Sequence, residues 1–373
     1  MPTKKQHFVP RVYLKAWESK VVKNSEPNKP FDGVYLFDKD NKADGFNIKS
    51  ILWKPHLYTV RFRYSFICKS CPLIRKDFVD QIFTYLKTSA KQPIYGKIGY
   101  SIIATKKSVD KHLHEIDECD FYYADGNIAS KESILNQIHS INSYVLETAF
   151  DDFFEKHWEN TLSMFIECVH NGIPLAIGQS ERTITDEAAY NMLSSFFIML
   201  CRNPKFDAMG TYKKIEDSIL TPLFDSILES DDHCSPDFDS KKEAEELMTG
   251  IWYSELYKML HKNTGGFYHT VLKHAISGCQ MILFEAYDDA GFFVTSDNPA
   301  FEHISTVERI NHSGFVFPMT PKYLLFIAKG NEPINVVDHR YANADTIKYF
   351  NRIILQHKTD CWISSQKNIN SNI

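Results

Sequence analysis

The residues best suited to chemistry stand in short polar stretches far apart in the chain. His7 lies in Gln6-His7-Phe8-Val9-Pro10-Arg11. An imidazole titrates near neutrality, so His7 could serve as a general base or metal ligand, or as a buried anchor that pins the N-terminal strand. Thr295-Ser296-Asp297-Asn298-Pro299 follows an apolar run and sets a carboxylate and an amide at a strand end. Asp297 there could accept a proton or bind a hard divalent cation; equally, Asp297 or Asn298 could cap its own backbone in an Asx-turn. If His7 and Asp297 meet, the ends of the chain build one site, with His7, Asp297 and Asn298 as its catalytic set. Arg202, in Arg202-Asn203-Pro204, follows an apolar helix. Its guanidinium could grip a phosphate or carboxylate in bidentate fashion, or simply offset the helix dipole. Arg11 is the second candidate for anion binding.

Two further sets could bind metal, and a divalent ion is the cofactor these residues suggest. Glu147 and Glu155 are eight residues apart, which places them on nearly one helix face, and they could join Asp297 around a cation. Exposed glutamates on a long helix are also ordinary. Cys68-Lys69-Ser70-Cys71 is a single CxxC, followed at a distance by His112, His114 and Cys119. Thiolates and imidazoles suit zinc, but the second half has no standard spacing, and reduced structural thiols are the alternative.

Composition narrows the classes. The chain has 373 residues and is 43% hydrophobic, with 27 phenylalanines, which is ample for a core. No apolar run is long enough to span a bilayer, and Lys4, Lys5 and Pro10 do not open a signal peptide, so no membrane partner and a cytoplasmic location are expected. Eight cysteines are too few for a disulfide scaffold. A net charge of −5 gives no overall attraction to nucleic acid. A nucleic-acid partner would need a local patch, for which 54–63 and 69–76 mix basic residues with Tyr58 and Phe62. There is no phosphate-binding glycine loop, dinucleotide fingerprint, HExxH or nucleophile elbow.

The elements that must position these residues follow from periodicity. Residues 33–37 and 57–64 read as strands, and 76–87 as a helix. Apolar residues recur at helical spacing from Ile134 to Ile166 until Gly172-Ile173-Pro174 stops them. Thr185-Asp186-Glu187 opens the next helix, apolar nearly all round over 192–200, which suits the centre of a bundle. Helices near 206–228 and 241–261 follow, joined by a polar linker at 230–237. Strands return at 280–285, 291–295, 314–317, 323–328, 334–337 and 360–364, with a helix over 343–356. The turn Asp288-Asp289-Ala290-Gly291 predicts that the first two pair as a hairpin. The expected class is α+β: N- and C-terminal strands share one mixed or antiparallel sheet, with a large helical bundle inserted between them. The composition divides the chain into a strand-rich part (1–130), a helical part (131–280) and a second strand-rich part (281–373).

The opening motif Gln6-His7-Phe8-Val9-Pro10-Arg11-Val12-Tyr13-Leu14, together with Thr295-Ser296-Asp297-Asn298-Pro299, resembles the signatures of a bacterial family catalogued as domain of unknown function 4238. Phe317-Pro318-Met319-Thr320-Pro321, Asn351 and Trp362-Ile363-Ser364-Ser365 fit the same resemblance, and Glu147, Glu155 and Arg202-Asn203-Pro204 fit it more weakly. Relative to the usual pattern, about 86–127 reads as an insertion. The resemblance fixes no reaction. The polar set on these signatures, with the association of such families with defence regions, suggests a hydrolase using His7, Asp297 and Asn298, with Arg202 as anion binder. In particular it suggests a nuclease or toxin-like effector of the kind found in phage defence. The rival is a non-catalytic module that binds a ligand or partner and in which the motifs are structural.

Overall fold

The computed structural model describes residues 5–59, 72–88, 92–176, 178–206, 222, 240–261, 273, 278–304 and 313–369. The N-terminal strands are β1 (Lys5–His7), β2 (Ser19–Lys23), β3 (Glu26–Phe37), β4 (Ala43–Phe46) and β5 (Trp53–Pro55), with the one-turn helix α1 (Arg11–Leu14) after β1. Next come α2 (Pro72–Thr88), β6 (Ile94–Ile98), β7 (Ser101–Ile103), α3 (Lys106–Lys111) and β8 (Asp120–Tyr123). The helical middle holds α4 (Lys131–Ser143), α5 (Val145–Phe153) and α6 (Trp158–His170), then β9 (Ile173–Pro174), β10 (Glu181–Thr183), α7 (Asp186–Arg202) and α8 (Ser240–Leu260). The C-terminal part has β11 (Cys279–Ala286), β12 (Thr295–Ser296), β13 (Phe301–His303), β14 (Gly314–Pro318), β15 (Tyr323–Lys329), β16 (Val336–Ala342), α9 (Ala344–His357) and β17 (Trp362–Ser364).

Packing groups the chain into two compact units. One comprises Met1–Thr3, His56–Asp151 and Asp207–Tyr268; the other comprises Lys4–Pro55, Asp152–Phe206 and His269–Ile373. The divisions near 130 and 280 follow the change of periodicity along the chain, whereas these units follow what packs together.

The second unit carries two large sheets. The first has the order β13-β14-β15-β11-β16-β10-β9; β11 and β16 are parallel and its other neighbours antiparallel. The second, β12-β17-β3-β2 with β4 on β3, joins N- and C-terminal strands in one sheet, as the α+β reading expects. The amphipathic helix α9 supplies Ile347, Phe350, Ile353 and Ile354 to a core cluster that also holds Val21 and Phe37 of one sheet and Ile282 and Phe326 of the other. Asn343 starts this helix by accepting the Thr346 N–H on its side-chain oxygen, 3.0 Å.

Three expectations are corrected. The segments 280–285 and 291–295 do not form a hairpin: β11 pairs with β15 and β16, while β12 crosses to the other sheet and pairs with β17. The turn itself forms, with Gly291 at φ +109°, but the chain then runs extended, held by the Asn351 side chain. The helix α7 starts at its Thr185 cap as read, yet it lies against a sheet as well as a helix. Phe196 and Phe197 meet Phe315 and Phe317 of β14, while α6 covers another side. Its apolar surface is therefore covered by strand aromatics where a bundle had been expected. Finally, Glu147 and Glu155 do not share a helix face. The helix ends at Phe153, Phe154 adopts φ −127° and ψ −62°, and Glu155 begins a separate 3-10 turn.

In the first unit, the stretch read as an insertion folds into the three-stranded sheet β7-β6-β8 with α3. Thr105 and Ser108 cap α3 reciprocally. Tyr58 is buried between Phe150 and Trp252, ring centroids 5.0 and 6.2 Å away. Among the described residues, no helix is long and apolar enough to cross a membrane.

Candidate functional site

Pro10 fixes the geometry of the opening motif. At φ −61° and ψ 140° it stands extended just before α1 and starts that helix, whose Tyr13 and Leu14 are buried. Tyr13, Leu14 and Trp17 are fully buried. The Tyr13 hydroxyl donates to the Pro318 carbonyl at 2.5 Å and lies 2.7 Å from Thr295 Oγ1, and its ring stacks on Phe317 at 5.8 Å. Trp17 Nε1 donates to the Phe293 carbonyl at 3.1 Å. One short helix thus touches both of the later motif stretches, 295–299 and 317–321.

The adjacent residues Arg202 and Asn203 make a second link. Arg202 Nη2 donates to the His7 carbonyl at 2.8 Å and to Glu155 Oε1 at 3.1 Å. Asn203 Nδ2 donates to the Asp297 carbonyl at 2.9 Å and lies 3.5 Å from Asn298 Oδ1. His7, Arg202 and the Asp297 turn are therefore brought together, joined through the end of α7. Arg202 is 1% exposed, so its charge depends on these partners and on Glu155 rather than on water.

The side chains in this junction act mainly on backbone. Both Asp297 carboxylate oxygens accept N–H groups, from Thr359 at 2.8 Å and Asp360 at 2.7 Å. Burial raises the Asp297 carboxyl above its ordinary range, and those two N–H groups partly offset the rise. Asn298 Nδ2 donates to the His357 carbonyl at 3.1 Å, while its own N–H donates to Ser296 Oγ. Asn351 clasps Phe292 and Val294 in the same manner.

His7 is different. Its Nε2 is buried and has no hydrogen-bond partner among the described residues. The ring is hydrogen-bonded to the Lys49 backbone. Burial, followed by the charges of Arg11, Arg202 and Lys5, outweighs that bond and pushes the imidazole down to about 4. At neutral pH His7 is thus an uncharged ring with an unused nitrogen in a cationic setting. Arg11 is exposed at the start of α1.

Among the described residues, His112, His114 and Cys119 form no three-ligand cluster. Cys68 and Cys71 lie outside the described residues, as do nearly all of the helix near 206–228, the linker at 230–237, residues 60–64 of the strand read at 57–64, and residues 60–63 and 69–71 of the two basic-aromatic stretches. His112 and His114 both reach Glu115, at 2.8 and 3.4 Å, and burial pushes the Cys119 thiol up to about 12. Glu147 falls in the other compact unit from Glu155 and Asp297.

The profile of a family described as "Protein of unknown function (DUF4238)" matches residues 5–367. The chain belongs to the DUF4238 family. No curated protein and no solved structure matches it. In this DUF4238 protein the opening motif, the Asp297 turn, the Phe317–Pro321 turn and Asn351 all meet in one compact unit. Asn203 and the Tyr13 hydroxyl, which make the decisive links, were visible in the sequence only as members of motifs. Nothing local says that an amide will reach a carbonyl 94 residues away.

Proposed function

We propose that this protein is a hydrolase of an anionic ester, with a phosphodiester as the leading substrate class. His7 is its general base and Arg11 its exposed anion-binding group. Arg202, Asn203, Asp297 and Asn298 then act as positioning residues that hold the His7 strand against the end of α7. One observation carries the reading: a neutral imidazole with an unpartnered Nε2 stands among the charges of Arg11, Arg202 and Lys5. An anion entering that setting would cancel part of the positive field and raise the imidazole toward neutrality, where a general base works best. Nε2 is buried in the free protein, so the substrate reaches it only after the covering side chains part.

The test uses bis(4-nitrophenyl) phosphate and short DNA and RNA strands, after a first screen for toxicity on overexpression. His7→Asn retains a group able to bond the Lys49 backbone, and it should lower kcat by about 10²–10⁴-fold while the protein stays folded. Arg11→Gln should raise KM. Wild-type protein inactive on every ester, or turnover unchanged in His7→Asn, overturns the reading. The rival, a non-catalytic binding module, draws on the backbone-directed bonds of Asp297 and Asn298. It predicts that substitutions at both motifs lower the melting temperature without removing any turnover.

A further inference from the structure

Away from the motif junction, three ligand-type side chains from distant parts of the second unit converge. His170 ends α6, Glu285 lies on β11 and His339 lies on the neighbouring parallel strand β16. Leu283 is the register partner of His339, so the strand alternation puts Glu285 and His339 on one sheet face. His170 Nε2 and His339 Nε2 each stand 2.9 Å from the same oxygen, Glu285 Oε2, and all three ligand atoms lie within 4.8 Å of one another. The two imidazole rings are 5.3 Å apart.

We propose that His170, Glu285 and His339 bind a divalent transition-metal ion of the zinc class, through the two Nε2 atoms and the Glu285 carboxylate. Two imidazoles and one carboxylate form a donor set suited to borderline metals rather than to calcium or magnesium. Bonds of ~2.0–2.1 Å in tetrahedral geometry place ligand atoms roughly 3.3 Å apart. The two 2.9 Å separations to Glu285 need to open by only a few tenths of an ångström, and the two Nε2 atoms, within 4.8 Å of one another, draw in toward the same spacing. The fourth position faces outward: the His170 side chain is 38% exposed, against 9% for Glu285 and 7% for His339. Water completes the coordination there, or a substrate oxygen.

Proton placement is consistent. In the metal-free arrangement each Nε2 donates its hydrogen to Glu285. On metal binding each ring would use the Nε2 lone pair and carry its hydrogen on Nδ1. Burial keeps His339 below its ordinary range despite the facing carboxylate, which favours the neutral ligand form. Burial opposes ionisation of Glu285, but the His170 and His339 hydrogen bonds prevail and hold it below the usual carboxylate range. Among the described residues, Lys322, Tyr323, Tyr341 and Arg182 also stand near the cluster. The Tyr323 hydroxyl reaches Glu285 Oε1 at 3.4 Å and orients the carboxylate from behind. The Lys322 ammonium stands 3.5 Å from that oxygen but only 3.1 Å from Asp288, to which it can withdraw when a cation arrives.

This site is independent of the His7 reading, and neither depends on the other. The experiment strips the full chain with a chelator and titrates Zn²⁺ by calorimetry, then Co²⁺ to read the intense visible bands of a four-coordinate site. One equivalent of Zn²⁺ should bind, with a rise in melting temperature. Affinity should fall by about 100-fold or more in His170→Ala and Glu285→Gln. His170 is the more exposed ligand, so its variant keeps the fold if loss of the Glu285 bonds does not. His139→Ala, in the other unit, should bind like wild type. Absence of saturable Zn²⁺ binding at micromolar concentration overturns the proposal, and so does binding unchanged in both ligand variants. Either result would leave the cluster as a hydrogen-bonded tie between α6 and the sheet.

Discussion

Protonation of His7 offers a direct test of the junction, because its imidazole is held near 4 against an ordinary value of 6.5. Between those values the unfolded chain takes up a proton that the folded chain refuses. Stability due to His7 is therefore fully present above pH 6.5 and is lost as the pH falls toward 4. At ~1.36 kcal/mol for each tenfold change in proton affinity, the loss at pH 4 is about 3 kcal/mol. His7→Asn removes the titration while keeping a group for the Lys49 backbone, so it isolates this contribution from the other fourteen histidines. Urea unfolding of both proteins at pH 7, 6, 5 and 4 should show the wild type losing about 3 kcal/mol more than the variant. NMR reads the same quantity directly, as a His7 ring titration with its midpoint near 4 that moves little with added salt, since burial is the leading cause. A midpoint at or above 6, or parallel stability curves, would show that water reaches the ring and would refute the reasoning. Inorganic phosphate should raise the midpoint if the cationic setting binds anions.

Other consequences follow from the junction and from the buried thiols. Tyr13→Phe deletes the hydroxyl shared with Thr295 and Pro318 and should cost about 1–2 kcal/mol in urea unfolding, with the ring packing retained. Asp297→Ala leaves the Thr359 and Asp360 N–H groups without their acceptor and should cost about 3 kcal/mol, whereas Asp297→Asn keeps one oxygen and should cost about half as much. Burial pushes the thiols of Cys119 and Cys361 up to about 12 and that of Cys279 to about 11. Peptide mapping after brief iodoacetamide treatment at pH 8 should find these three unmodified and the half-buried Cys168 labelled.

Much of the local structure is legible in the chain itself. Thr185 caps α7 and Asn343 caps α9 because their side-chain oxygens satisfy N–H groups that a helix start leaves open. The apolar opening motif announces that the N-terminal segment is docked, since Tyr13 and Trp17 would otherwise face water. The apolar run at 323–328 becomes β15. These features depend on residues within a few positions of one another, and periodicity reports them faithfully. It reports only which face is covered, not what covers it. That is why α7 reads as a bundle helix yet lies on the aromatic residues of β14, and why β11 and β12 read as a hairpin yet enter different sheets. His170, Glu285 and His339 carry no shared spacing, being 115 and 54 residues apart, and each is ordinary in its own segment. Their meeting is set by the parallel pairing of β11 with β16 and by where α6 ends, both products of tertiary packing. The sequence alone determined the caps, the covered faces and the pieces of the DUF4238 signature. Only the three-dimensional packing decided that the pieces close on one another through Arg202 and Asn203, because hydrogen bonds across such separations form only once the core has placed both partners.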